Sequence, residues 1–181
     1  MPERVQLKQQ AKEQIKGNIG ILFAITLVMG LIAGTLIGGL FVPAMNVGLC
    51  LIYINMTIGT KPSVGDLFKR VDTFGKALWL MLITQFFTML WTYLFIIPGI
   101  IKGLSYSMGS YILAEHPDWT ARQCLSESKR IMKGKVGKLF VLQLSFFPWH
   151  LLGGITFGIA YIYIIPYINA TTANFYNAIK E

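Results

Sequence analysis

Residues 17–60 read GNIGILFAITLVMGLIAGTLIGGLFVPAMNVGLCLIYINMTIGT, and this run of 44 residues holds no Asp, Glu, Lys or Arg. Two further runs are free of charge, residues 77–101 and residues 139–179. A helix that spans a bilayer needs about 20 mostly apolar residues. The first and third runs are each long enough for two such helices, and a single helix of either length would be too long for one bilayer. Each run contains or ends near a proline in a similar setting: Phe41-Val42-Pro43, Ile96-Ile97-Pro98 and Ile164-Ile165-Pro166. Proline suits the first turn of a helix, where its missing N–H needs no partner. The pattern predicts six membrane segments, at about 19–41, 44–60, 77–97, 99–114, 139–164 and 166–179.

Composition supports this reading. Hydrophobic residues make up 54% of the 181 and charged residues 13%. Soluble domains carry about twice that share of charge. The balance excludes a disordered chain, a disulfide scaffold and a cytosolic enzyme. The formal charge is +8, but the basic residues flank apolar spans, where they set topology and meet anionic lipid; nucleic acid is not expected as a partner. Cys50 lies in an uncharged run and Cys124 in a charged one, so no disulfide is expected, and no spacing of Cys, His or acidic residues suggests a metal or other cofactor. The N-terminal apolar run is too long for the core of a cleaved leader. It reads as a first span.

A repeat is visible at an offset of 117 residues. It pairs Lys12 with Lys129, Lys16 with Lys133, Gly17 with Gly134, Gly20 with Gly137, Leu22 with Leu139 and Phe23 with Phe140. A weaker middle copy places Pro43 and Gly48 on Pro98 and Gly103. The expected organisation is one membrane domain, 1–181, built from three repeats at about 4–60, 67–117 and 124–181. Each has a basic lead-in, a long span, a proline break and a shorter span back. The first and third hairpins are expected to be related by rotation about an axis near the membrane normal. The fold class is all-α and polytopic. Fifteen of the 16 Lys and Arg lie in the termini or in the 61–76 and 115–138 loops. The positive-inside bias puts both termini and both loops in the cytoplasm of a cell-membrane protein.

Both charged loops carry helix starts after a proline, Ser63-Val64-Gly65-Asp66 and Thr120-Ala121-Arg122-Gln123, which resemble capping boxes. After Thr120, Ala121, Cys124, Leu125, Ser128, Ile131 and Met132 share one helical face. Arg122, Lys129, Arg130 and Lys133 crowd the other, the layout of an interfacial helix that meets anionic lipid.

Several motifs resemble a known family. They are Leu94-Phe95-Ile96-Ile97-Pro98-Gly99-Ile100-Ile101-Lys102 with Ser105-Tyr106-Ser107-Met108; Ser128-Lys129 with Met132-Lys133-Gly134; Leu144-Ser145-Phe146 with Trp149; and Pro166-Tyr167 with Thr172, Ala173, Phe175 and Tyr176. The chain resembles the bacterial integral membrane family catalogued as domain of unknown function 975, over nearly its whole length and most specifically from 90 to 176. The resemblance implies a polytopic membrane protein and carries no reaction, ligand or catalytic residue. One departure is Pro148, in place of a small residue before Trp149, which bears on the straightness of that span.

No catalytic set stands out. His150 has no acid near it in sequence, His116 reads as a helix-end residue, and no span holds an Asp or Glu, which counts against a proton-coupled relay. Gly30, Gly34 and Gly38, then Gly99 and Gly103, then Gly154 and Gly158, recur every four residues. That spacing lets helices pack closely within the chain or in a homo-oligomer. Trp79, Trp91, Tyr93, Trp149, Tyr161, Tyr163 and Tyr167 read as an interfacial belt. Lys102 stands apart from the other cations. Asn46, Ile101 and Asn169 each fall three residues after a break proline, so a cluster of Lys102, Asn46 and Asn169, with Tyr106 one turn on, is the expected ligand site, for an anion or lipid phosphate. The function expected is a non-enzymatic envelope scaffold or accessory protein acting through lipids or partner proteins. The alternative is a small-solute or lipid transporter or channel.

Overall fold

A computed structural model describes residues 3–35, 38–94 and 96–180; side chains of residues 93–97 fall outside the description. All regular structure among the described residues is helical. In chain order, α1 is Arg4–Ile15, α2 Ile19–Ala33 and α3 Gly38–Thr57. Two short 3-10 turns at Val64–Phe68 and Val71–Thr73 lead into α4, Phe74–Leu94. Then come α5 Ile96–Tyr106, α6 Gly109–Glu115, α7 Ala121–Met132, α8 Val136–Leu144, α9 Phe147–Ile155 and α10 Tyr161–Lys180. Two helical stretches are long and apolar enough to cross a membrane, or three if α1 and α2, bent by 89° at their junction, count as one. The others fall short because they are broken, α5 from α6 at Ser107 and α8 from α9 at Ser145, or because they carry amides and hydroxyls, as α10 does.

The hairpin turns are not where the prolines stand. Pro43 and Pro166 lie inside α3 and α10, each the sixth residue of its helix. A threonine makes each turn instead. The Thr35 hydroxyl donates to the Ile32 carbonyl (2.8 Å) and accepts from the Gly38 N–H (3.0 Å). The Thr156 hydroxyl donates to the Leu152 carbonyl (2.9 Å) and accepts from the Ala160 N–H (3.2 Å). One hydroxyl thus ends the outgoing helix and starts the returning one, where the free N–H and C=O groups of both most need partners. Gly158, at φ +91°, completes the second turn in a conformation that glycine accepts without strain. The expected break at Ile96-Ile97-Pro98 borders residue 95 and lies outside the described residues. Pro148 sits in the first turn of α9, just after a break.

The corners that lead into α2 and α8 match residue for residue. Lys16 (φ −61°, ψ 123°) and Lys133 (φ −58°, ψ 121°) are extended. Gly17 and Gly134 follow at φ +83° and +75°. Asn18 and Lys135 close the corner at φ −111° and −112°. Helices α1 and α7 have 12 residues each, and α2 and α8 start 117 residues apart.

Of the glycine ladders, that of α5 packs closely throughout, and that of the first span does so at Gly38, where a Cβ would overlap the Ile32 carbonyl of α2. A Cβ on Gly99 would overlap Thr92, and one on Gly103 would come within 3.3 Å of Thr88, so α4 and α5 run antiparallel in close contact. Gly30 and Gly154 face open space. The tightest glycine elsewhere is Gly48 on α3, where a Cβ would overlap the Leu67 carbonyl of the first 3-10 turn. The outer face of α4 is apolar and exposed, with Trp79, Met81, Leu82, Phe86, Phe87, Met89 and Leu90. That surface suits lipid rather than water. Trp149, Tyr163 and Tyr167 pack on one another, and Tyr167 on Phe146, at centroid distances of 5.3 to 6.2 Å.

Gly48→Ala should cost about 1–3 kcal/mol, the range for overpacking, whereas Gly20→Ala, with nothing near its added carbon, should leave thermal unfolding unchanged or raise its midpoint. Equal effects at both positions would contradict the packing described.

Candidate functional site

Two places gather polar groups. The first is the end of the bundle where α3, α6 and α10 finish. Helix C-termini leave carbonyls without partners, and cations close on them here. The Arg70 guanidinium donates twice to the Ala114 carbonyl (3.0 and 2.8 Å). Lys76 donates to the Pro117 carbonyl (2.8 Å) and Lys135 to that of Ile179 (3.1 Å). Glu115 accepts from the Tyr176 hydroxyl (2.7 Å) and pairs with Lys180 (2.6 Å). The Asn177 amide donates to the Thr57 hydroxyl, joining α10 to α3.

Helix α7 lies at this end with the face expected from sequence. Ala121, Cys124, Leu125, Ser128, Ile131 and Met132 are its buried residues, and Arg122, Lys129, Arg130 and Lys133 are exposed. The Thr120–Gln123 capping box forms. Ser63 makes no such bond, and Asp66 pairs with Lys69 instead (2.6 Å). Arg130 forks onto Glu127, which holds that carboxyl below its ordinary range. Lys129 lies over the Tyr106 ring (5.1 Å), so Tyr106 sits under α7.

Helix α1 packs on α10 in the corresponding way. Lys12, which matches Lys129 in the repeat, lies over the Tyr167 ring (5.7 Å). Gln14 and Asn174 exchange hydrogen bonds (2.9 and 3.1 Å). Lys8 donates to the Ser145 carbonyl (3.1 Å), left free at the break between α8 and α9, and covers the Phe146 ring (4.2 Å). Burial, then the charges of Arg4 and Lys12, hold the Lys8 ammonium below its ordinary range. Beside it a crevice of about 540 Å³ opens between α1, α8 and α10. Arg4 and Lys138 flank it with Glu3, and Val5, Leu7, Val141, Leu142 and Phe175 form its apolar walls.

The second place is inside the bundle. Asn46 and Asn169 line one cavity of about 150 Å³, with Leu49, Cys50, Tyr53, Ser107, Ser110 and Tyr111. The structure thus brings the two expected asparagines together. It does not bring Lys102 or Tyr106 to them: neither lines this cavity, and the Lys102 ammonium lies over the Trp91 ring on α4 (5.1 Å). Ser107 comes from the break between α5 and α6, where the helix stops at Tyr106 and resumes at Gly109, and Ser110 from the first turn of α6. That break changes the helical phase, which spacing from Pro98 alone does not register. Cys50 and Cys124 are both free thiols. The His150 ring lies 3.4 Å from the Tyr161 hydroxyl. Among the described residues no group of three His, Cys, Asp or Glu is placed to hold a metal ion.

Fold and site together define an all-helical protein with apolar membrane-length helices and a cation-rich end. Residues 94–181 match the family model described as "Protein of unknown function (DUF975)", and this half of the chain belongs to that family. Neither the curated proteins nor the solved structures include a significant match.

Glu115→Gln should lower stability by about 1–2 kcal/mol, since Tyr176 and Lys180 both close on that carboxylate. Lys180→Met, which removes one contact of the two, should cost less in the same thermal unfolding experiment. The reverse order would contradict the arrangement.

Proposed function

We propose that this is a multi-pass cell-membrane protein, with six membrane segments in three hairpin units, and that its cation-rich end and both termini face the cytoplasm. It acts without catalysis, as an envelope scaffold or accessory protein that holds anionic lipid at that end. The packing order supports three units in a ring. The first 3-10 turn packs on α3, α7 on α6, and α1 on α10. Each lead-in therefore rests on the returning helix of the unit before it, and the first rests on the last. The matched corners at Gly17 and Gly134 point the same way.

The observation that carries the lipid reading is the crevice beside α1. Two cations, Arg4 and Lys138, stand at apolar walls long enough to take the start of an acyl chain. A phosphate there would also relieve the like charges of Arg4, Lys8 and Lys12. The exposed row of Arg122, Lys129, Arg130 and Lys133 on α7 extends the same positive surface. The alternative reading, a small-solute or lipid transporter or channel, draws on the internal polar cavity. Its buried end is formed by Tyr53 and Tyr111, one helical turn from the packed Thr57, which Asn177 bonds, and Glu115, which favours the scaffold.

Protein extracted from membranes in mild detergent should retain phosphatidylglycerol over phosphatidylcholine, read by native mass spectrometry. Arg4→Gln with Lys138→Gln should reduce that retention several-fold without loss of fold. Equal retention of both lipids would sink the proposal. Reporters fused after the last residue and inserted within 118–135 should both read cytoplasm.

A further inference from the structure

The internal cavity offers neutral groups only: two amides, two serine hydroxyls, two phenols and a thiol. It is also unsatisfied. The Tyr53 hydroxyl is buried and has no hydrogen-bond partner; Asn169 faces it without reaching hydrogen-bond geometry. Tyr53 is 1% exposed. A buried phenol left unpaired is unfavourable, so an occupant that accepts or donates one hydrogen bond is favoured here. Access comes from the other end. Asn46 is exposed, Cys50 lies one turn below it on α3, and Tyr53 lies a further turn down. The opposite wall is the break at Ser107, and irregular backbone of that kind at membrane depth is tolerated where it is buried in protein or lines a polar cavity.

We propose that this cavity is a binding site for a small uncharged molecule rich in hydrogen-bonding groups, of the size and chemistry of glycerol. The volume sets the size: about 150 Å³ holds one molecule of about six heavy atoms. The lining sets the charge. No cation or carboxylate lines the cavity, and an ion brought there would lose its hydration without gaining a counter-charge. The amides of Asn46 and Asn169 each donate and accept, so they suit hydroxyls or a second amide. The Tyr53 hydroxyl takes the group that reaches deepest. This site is independent of the lipid crevice, which lies beside α1 and shares no residue with it.

Cys50 reports on the site directly. The intact protein in mild detergent is treated with methyl methanethiosulfonate, a small uncharged thiol reagent, and modification at Cys50 and Cys124 is scored separately by peptide mass spectrometry. Cys50 should react, and glycerol should protect it in a saturable way, while Cys124 is unaffected by glycerol. Tyr53→Phe should raise the half-protecting concentration about fivefold, the effect of one hydrogen bond. Asn46→Leu, at the exposed mouth, should do at least as much, and Lys102→Met should change nothing. A Cys50 that stays unmodified even at raised pH, where the thiolate is no longer scarce, would mean that the cavity is closed. Modification that glycerol and acetamide do not slow would mean that it holds water alone. Protection by sodium ion and not by glycerol would mean an ion site. Each of these three results overturns the proposal.

Discussion

A helix C-terminus leaves carbonyls without partners, and those of α6 and α10 are closed by cations of the chain itself. The rest of the structure depends on how they are closed. Arg70 caps Ala114 and Lys135 caps Ile179, each from the lead-in to its own hairpin. The same contacts place positive charge at the negative ends of the helix dipoles. Because α3, α6 and α10 all finish at this end, their cations and the Glu115 carboxylate form one polar layer. Beyond this end the described residues come mostly from the chain's uncharged runs, with Lys102 the exception.

The opposite end is closed by different chemistry. Thr35 and Thr156 satisfy backbone groups with a hydroxyl, which adds no charge where a charge would be expensive. The molecule therefore has a cationic end and a neutral end, joined by helices whose outward side chains are apolar. That asymmetry is the basis on which we propose lipid headgroups as the partner of one end. The polar cavity between the ends is lined by neutral side chains alone. Lys102, the one cation away from the charged end, lies over Trp91 on α4 and does not reach that cavity.

Much of this was legible in the residues. The spacing after Thr120 gives the buried and exposed faces of α7 correctly, because a 12-residue amphipathic helix has one way to bury six small and apolar residues. The starts of α2, α4 and α8 follow the basic lead-ins, since charge marks where the apolar segments begin. Proline is the most visible helix breaker, and turns placed by it fall in the wrong positions. Here it is tolerated in the second turn of α3 and α10, and a less visible threonine makes the turn. Ser107, Ser110 and Tyr111 were missed for a related reason. Nothing in their spacing signals that α5 stops at Tyr106 and that α6 restarts with a new phase. The unpartnered Tyr53 hydroxyl has no sequence signal at all, because its neighbours come from three separate segments.

In the proposed organisation, three hairpins form a closed ring in which α1 seals against α10. Pairing of Gln14 with Asn174 is the contact that closes it. The direct measurement is thiol cross-linking of the Gln14→Cys, Asn174→Cys double variant in native membranes with a short bifunctional methanethiosulfonate. A product within one chain, absent from either single variant, is predicted. Failure to cross-link, or products only between chains, would mean that the first helix does not rest on the last, and the ring would be wrong.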